Sequence, residues 1–175
     1  MSFNHPLGIE EIGYFLLNDM TVGWTWRAGC TSIIASMEPY YDDVETLTHP
    51  PERCMLYLKN PMERFRSAWI AQPFVAVDAA GIPSRMRIED YIDGVLDDEP
   101  GVRSPHSNGQ LWQHRRVKDI HPYRLEGSTT VCGVPLLHMN ITDEEKPQLE
   151  HRTKELLEYY REDIDAWSQA DPCTF

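Results

Sequence analysis

A single α/β domain, with a central parallel sheet flanked by helices, is the fold this sequence predicts, and three observations predict it. Residues 21–26 (TVGWTW) read as a strand, and residues 31–37 read as a short helix directly after it. Residues 54–58 (CMLYL) are a continuous apolar run, the mark of a strand buried on both faces; Pro61 then opens a second helix that runs on over residues 62–71. The length, 175 residues, suits one domain with one sizeable core over residues 1–175. Strand and helix thus alternate twice, as βα units laid side by side do.

Each further element has a local reason. Pro39 stops the first helix, because the residue before a proline is pushed out of the helical region. Residues 38–51 are polar, acidic and tyrosine-bearing, and read as a connecting excursion. Residues 72–87, with Pro73, Gly81 and Pro83, read as a loop. Ile88, Tyr91, Ile92 and Val95 share one face of a helix over residues 88–96. Residues 97–109 are a second polar loop, and residues 111–117 fit either helix or strand. Residues 129–134 read as a strand or hairpin arm, and residues 136–139 as a second short apolar run. Thr142 and Glu145 make a capping-box pair for a last helix, which carries Leu149, Leu156, Leu157, Tyr160, Ile164 and Trp167 at helical spacing.

Composition narrows the function classes. Apolar residues make up 41% and charged residues 25%, ordinary for a soluble protein. The net charge of −12 argues against nucleic acid or an anionic membrane surface as partner, while leaving room for a local basic pocket. No run approaches the roughly 20 apolar residues of a membrane span. Asn4, His5, Glu10 and Glu11 stand where a signal peptide would be apolar. Cys30, Cys54, Cys132 and Cys173 form no C-x-x-C pair and read as reduced packing residues, so a cytoplasmic location is expected. No His/Cys cluster has zinc spacing, so no metal is expected.

Ligands of such sheets sit where strands end and helices begin. The first such place is Arg27-Ala28-Gly29-Cys30-Thr31-Ser32. Gly29 lets the backbone approach an anion, the helix N-terminus favours negative charge, Thr31 and Ser32 add hydroxyls, and Arg27 adds a full positive charge. No Gly-Lys pair occurs in the chain, which argues against a Walker-type triphosphatase. The second place is Leu58 to Trp69. Lys59 ends a buried strand, and Arg64 and Ser67, three apart, share a helix face. Lys59, Arg64 and Ser67 are expected to converge on a second anion, while Arg66 reads as solvated.

Two anion loops on one sheet suit a ligand with two separated phosphate-like ends, and here the chain resembles the PAPS-dependent sulfotransferases, the carbohydrate-type group in particular. PAPS is 3′-phosphoadenosine 5′-phosphosulfate. That family's first signature, roughly P-K-x-G-[CT]-T-S, is similar to Trp26-Arg27-Ala28-Gly29-Cys30-Thr31-Ser32. Its second, roughly R-[DN]-P-x-x-R-[FL]-x-S-A, is similar to Lys59-Asn60-Pro61-Met62-Glu63-Arg64-Phe65-Arg66-Ser67-Ala68. Two weaker echoes follow in order: the segment from Pro105 to Gln110, and the segment from Val134 to Thr142 with Tyr159 to Asp163 beyond it. The lysine and arginine of the two signatures stand exchanged here, as Arg27 and Lys59, and arginine and lysine differ in geometry although charge is kept.

The resemblance implies a P-loop-like sulfotransferase architecture and transfer of a sulfuryl group from PAPS to a hydroxyl or amine of a glycan or small molecule, without a metal. It implies that Arg27, Ala28, Gly29, Cys30, Thr31 and Ser32 hold the 5′-phosphosulfate, and that Lys59, Arg64 and Ser67 hold the 3′-phosphate. His106 is the first choice of base for the acceptor proton, with Glu38 and His49 as alternatives. His138 reads as a core histidine, and His114, His121 and His151 as surface residues. Trp24 and Trp26 read as core packing before adenine stacking. The alternative reading is a sulfotransferase-fold module that holds a nucleotide or protein partner without catalysis.

Overall fold

The computed structural model describes residues 12–25, 27–71, 76–77, 83–84, 86–97, 107–139, 147–149 and 151–175. In chain order, β1 (Ile12–Leu17) and β2 (Met20–Thr25) lead to α1 (Cys30–Met37) and a 3-10 turn (Glu38–Tyr40). Next come β3 (Glu45–Leu47), β4 (Arg53–Leu58), α2 (Pro61–Ile70), and the short strands β5 (Ala76–Val77) and β6 (Pro83–Ser84). They are followed by α3 (Ile88–Asp97), α4 (Gln110–Gln113) and β7 (Asp119–Arg124), then β8 (Thr130–Val131), β9 (Val134–Pro135), α5 (Thr153–Tyr159) and α6 (Arg161–Gln169).

The central sheet has the order β3-β1-β2-β4-β7. β2, β4 and β7 run parallel, whereas β1 is antiparallel to both β2 and β3. The sheet is therefore mixed, a correction to the parallel sheet expected from sequence. The cause is the two-residue connection Asn18-Asp19, both residues left-handed at φ 52° and 58°. That geometry closes a tight hairpin, which pairs only antiparallel strands, and Asn and Asp tolerate it better than other non-glycine residues. The excursion after α1 also returns to the sheet, placing β3 at its edge. β7 was not expected either; it carries Pro122 and pairs with β4 along all six of its positions.

Alternation along the strands separates two faces. Phe15, Leu17, Val22, Trp24, Met55 and Tyr57 pack on one face with Ile33 and Met37 of α1 and the β8–β9 hairpin. Tyr14, Cys54 and Val117 pack on the other. A second cluster joins Phe65 and Ala68 of α2 to Tyr91, Ile92 and Val95 of α3 and to Leu149, Leu156 and Tyr160. Trp24 is thus core, as expected; Trp26 lies outside the described residues.

The last helix is two: α5 and α6 meet at Tyr160, whose backbone (φ −97°, ψ 20°) leaves the helical region and whose buried hydroxyl donates to the Ser107 carbonyl. Thr142 and Glu145 lie outside the described residues. All four cysteines are buried free thiols. No helix among the described residues is long and apolar enough to cross a membrane.

Candidate functional site

The C-terminal ends of β2, β4 and β7 lie side by side, and each runs into a loop with polar or charged residues. At the end of β2 the chain turns sharply: Arg27 and Gly29 are both left-handed, at φ 63° and 79°. The Ala28 amide donates to the Thr25 carbonyl at 3.2 Å, and the Ile33 amide to the Gly29 carbonyl at 2.9 Å, so α1 begins immediately. Among the described residues, no side chain caps its N-terminus. Gly29 has a second reason to be glycine. A Cβ there would stand 2.6 Å from Cδ2 of Leu125, which follows β7, so this loop leans across the end of β4.

The expected ligands divide by what already holds them. Ala28 and Cys30 are buried backbone-approach positions, and Thr31 is exposed. Ser32 is buried, and its hydroxyl accepts from the Met139 amide at 2.9 Å, tying α1 to the strand-like run after β9. Arg27 is half-buried, and its Nε is buried without a hydrogen-bond partner among the described residues. Burial holds its pKa below the ordinary arginine value, with Cys30 and Tyr91 offsetting part of that. A guanidinium N–H left unpaired in a partly dry site is costly, and an anion would satisfy it.

At the end of β4, Lys59 Nζ donates to Ser67 Oγ at 3.0 Å. Of the three residues expected to converge here, the structure therefore joins Lys59 and Ser67. Ser67 also donates to the Glu63 carbonyl at 2.8 Å, which fixes its rotamer. Arg64 turns the other way. It is fully buried, and its Nη1 donates to the Asn108 carbonyl at 2.6 Å. Burial lowers its pKa, with Tyr160 and Asp163 among the groups that offset the effect. The two loops differ in what they offer. Asn60 Oδ1 caps α2 by accepting from the Met62 and Glu63 amides, so this loop presents side chains where the first leaves helix amides uncapped.

Several residues that sequence reading missed hold this edge. Gln110 is fully buried, and its amide makes both bonds of a peptide pair with Lys59: Lys59 N donates to Oε1 at 3.0 Å, and Nε2 donates to the Lys59 carbonyl at 2.9 Å. Asp163 caps α4, accepting from the Gln110 and Leu111 amides at 2.6 and 2.9 Å. Glu126, just after β7, accepts from the Asn60 amide at 3.0 Å and from Trp167 Nε1 at 2.9 Å. Two of these carry a sequence signal: Gln110, at the end of the weak echo that begins at Pro105, and Asp163, at the end of the Tyr159 to Asp163 stretch.

Two histidines lie elsewhere than the sequence suggests. His114, expected at the surface, is completely buried behind β2. Its Nε2 stands 2.9 Å from Thr25 Oγ1 and its Nδ1 3.1 Å from the Tyr14 hydroxyl, so it joins β1 to the last residue before the anion loop. Gly23 makes room for it, since a Cβ there would stand 3.1 Å from the ring. His138, expected in the core, has an exposed ring whose Nε2 lies 3.0 Å from the Ser128 carbonyl. Only Leu136 points inward from that run. His121 and His151 are exposed, as expected.

Of the three candidate bases, His106 lies outside the described residues. Glu38 and His49 are exposed, and neither is brought to the loops. Glu38 follows α1, eight residues and roughly 12 Å along the helix from its N-terminus. His49 precedes β4, at the opposite end of a strand about 20 Å long.

Among the described residues, no group of three or more His, Cys, Asp or Glu side chains is placed to hold a metal ion. No protein-family model matches the chain, and no curated protein or solved structure matches it either.

Proposed function

We propose that the protein is a sulfotransferase of P-loop-like architecture, which moves the sulfuryl group of PAPS to a hydroxyl or amine of a glycan or small-molecule acceptor. The observation that carries this reading is the Lys59–Ser67 contact at the end of β4, parallel and adjacent to the strand that delivers the Arg27–Gly29 loop. In the proposed complex Lys59 and Ser67 take the 3′-phosphate. Arg27, Thr31 and the uncapped amides of α1 take the 5′-phosphosulfate. The acceptor oxygen or nitrogen attacks sulfur, the bond from sulfur to the bridging phosphate oxygen breaks, and its electron pair stays on that oxygen. Arg27 neutralises the charge that develops there, so its contact strengthens towards the transition state. The acceptor proton passes to a base, for which His106 is the candidate, since Glu38 and His49 stand away from the loops.

Calorimetry without magnesium tests the binding half: 3′-phosphoadenosine 5′-phosphate should bind well ahead of ADP, and Lys59→Ala should cost about 1.5–3 kcal/mol of that affinity, the range for hydrogen bonds to charged groups. Equal affinity for ADP removes the 3′-phosphate assignment. Incubation with radiolabelled PAPS and a panel of glycans, phenols and amines tests the chemistry. His106→Ala should then lower turnover by roughly 10²–10⁴-fold with cofactor binding unchanged. Selective nucleotide binding without transfer to any acceptor would favour the non-catalytic module, a reading to which the Arg27–Lys59 exchange also lends itself.

A further inference from the structure

The helical side of the molecule holds a cleft that the proposed reaction does not use. It has a volume of about 360 Å³ and lies between α4 and the bend where α5 meets α6. That is near the small end of the roughly 300–1,000 Å³ usual for ligand pockets. We propose that this cleft binds an organic cation, an ammonium group carried on an aromatic or alkyl body, between the rings of Trp112 and Tyr159 and the carboxylates of the α5–α6 bend. The inference is independent of the nucleotide reading.

The walls supply the apolar part. Trp112 and Tyr159 are half-buried, so each ring is anchored and still reaches the cleft. The Arg115 guanidinium stands 3.7 Å over the Trp112 ring and is not part of the lining, so it steadies the indole from outside. Tyr159 stands edge-to-face on Tyr160, with centroids 4.6 Å apart and planes at 87°. Tyr160 is in turn buried and bonded to the Ser107 carbonyl. Rings held this way bind a cation over their faces with little ordering cost.

The charges choose the sign. Among the described residues, four ionisable side chains line the cleft besides the tyrosines: Glu158, Arg161, Glu162 and Asp163. Arg161 pairs with Glu158, so those two charges cancel. Asp163 spends both carboxylate oxygens on the amides of α4. Glu162 is exposed and makes no ion pair with any described residue. Arg115 on the Trp112 ring offsets part of the rest, yet the described lining keeps an excess of negative charge, and the chain's net −12 adds a field of the same sign. An anion is repelled here, a cation attracted.

Two ligands of the same shape and opposite charge test this. Tyramine and 4-hydroxyphenylacetate are titrated into the full-length protein and followed by calorimetry and by the Trp and Tyr ring resonances. Tyramine should saturate, with the acid at least about tenfold weaker. Glu162→Gln should weaken tyramine about 2–5-fold, as for an exposed charge pair. Trp112→Ala should weaken it by more than about tenfold. Equal binding of the two probes refutes the charge argument. A folded Trp112→Ala protein with parental tyramine affinity refutes the location, and absence of saturation below about 10 mM tyramine refutes the site. If Trp112→Ala does not fold, Glu162→Lys at an exposed position decides: tyramine affinity as in the parent would overturn the proposal.

Discussion

Burial of His114 makes the stability of this fold depend on pH. Its pKa is pushed down from 6.5 to about 4, first by burial and second by the positive charge of Arg64. Its hydrogen bonds are not the cause, because the hydroxyls of Thr25 and Tyr14 can each accept from a protonated ring as well as serve a neutral one. Between pH 6.5 and about 4 the unfolded chain binds a proton that the folded chain refuses. Stability therefore rises with pH across that window: it is whole above about 6.5 and falls as the solution is acidified. The gap is worth about 3 kcal/mol in all, and about 2 kcal/mol is already lost at pH 5. His114→Gln keeps hydrogen-bonding groups at the position and removes the titration. It should be less stable than the parent at pH 7, and the difference should shrink by about 2 kcal/mol by pH 5. Urea unfolding of both proteins at pH 7, 6 and 5 measures this, and carboxylates common to both cancel. A stability gap that stays constant across those pH values, or a His114 ring that titrates near 6.5 by NMR, would refute the reasoning.

Two other substitutions probe the strand ends. Gly29→Ala meets a left-handed backbone and the Leu125 side chain together. It should destabilise by about 1–3 kcal/mol in urea unfolding and weaken nucleotide binding, and parental values for both would show that the loop relaxes freely. Gln110→Leu strips Lys59 of the partners of its backbone N–H and C=O, a loss of about 1–3 kcal/mol. Hydrogen exchange at the Lys59 amide should quicken, and an unchanged rate would mean that another group takes over the bond.

The parts of this molecule legible in its sequence are those with local causes. β2 with α1 and β4 with α2 were readable because a strand-like run led directly into a helix start: Gly29 in one case, Asn60-Pro61 in the other. Of the expected convergence of Lys59, Arg64 and Ser67, the Lys59–Ser67 part holds because a strand end and the next helix face lie only eight residues apart, whereas Arg64 is drawn to the distant Asn108 carbonyl. What escaped was set by distant partners. β1 becomes a strand only because the left-handed Asn18-Asp19 turn folds it back on β2. β7 contains a proline and becomes a strand because β4 offers its edge. Gln110 meets Lys59 across 51 positions, and His114 meets Thr25 across 89. A histidine fits a core only where something opposite is small, and Gly23 supplies that space from another element. His138 was misjudged for a related reason: apolar neighbours in sequence said nothing about which of them would face inward.

The Asn18-Asp19 turn sets the register of the first hairpin. β1 and β2 pair residue for residue from Leu17–Met20 to Ile12–Thr25. Side chains alternate along a strand, so a slip of one residue would exchange the two faces of β2. Trp24 would swing towards His114, and Thr25 would turn its hydroxyl into the apolar cluster. What prevents the slip is the length of the turn, held in place by Asn18 Nδ2 donating to the Cys132 carbonyl at 3.0 Å. The turn lies at the far end of the hairpin, roughly 20 Å from the loop that follows Thr25. Adding or deleting a single residue there would be a lesion of the anion loop, although no atom of the turn comes near it.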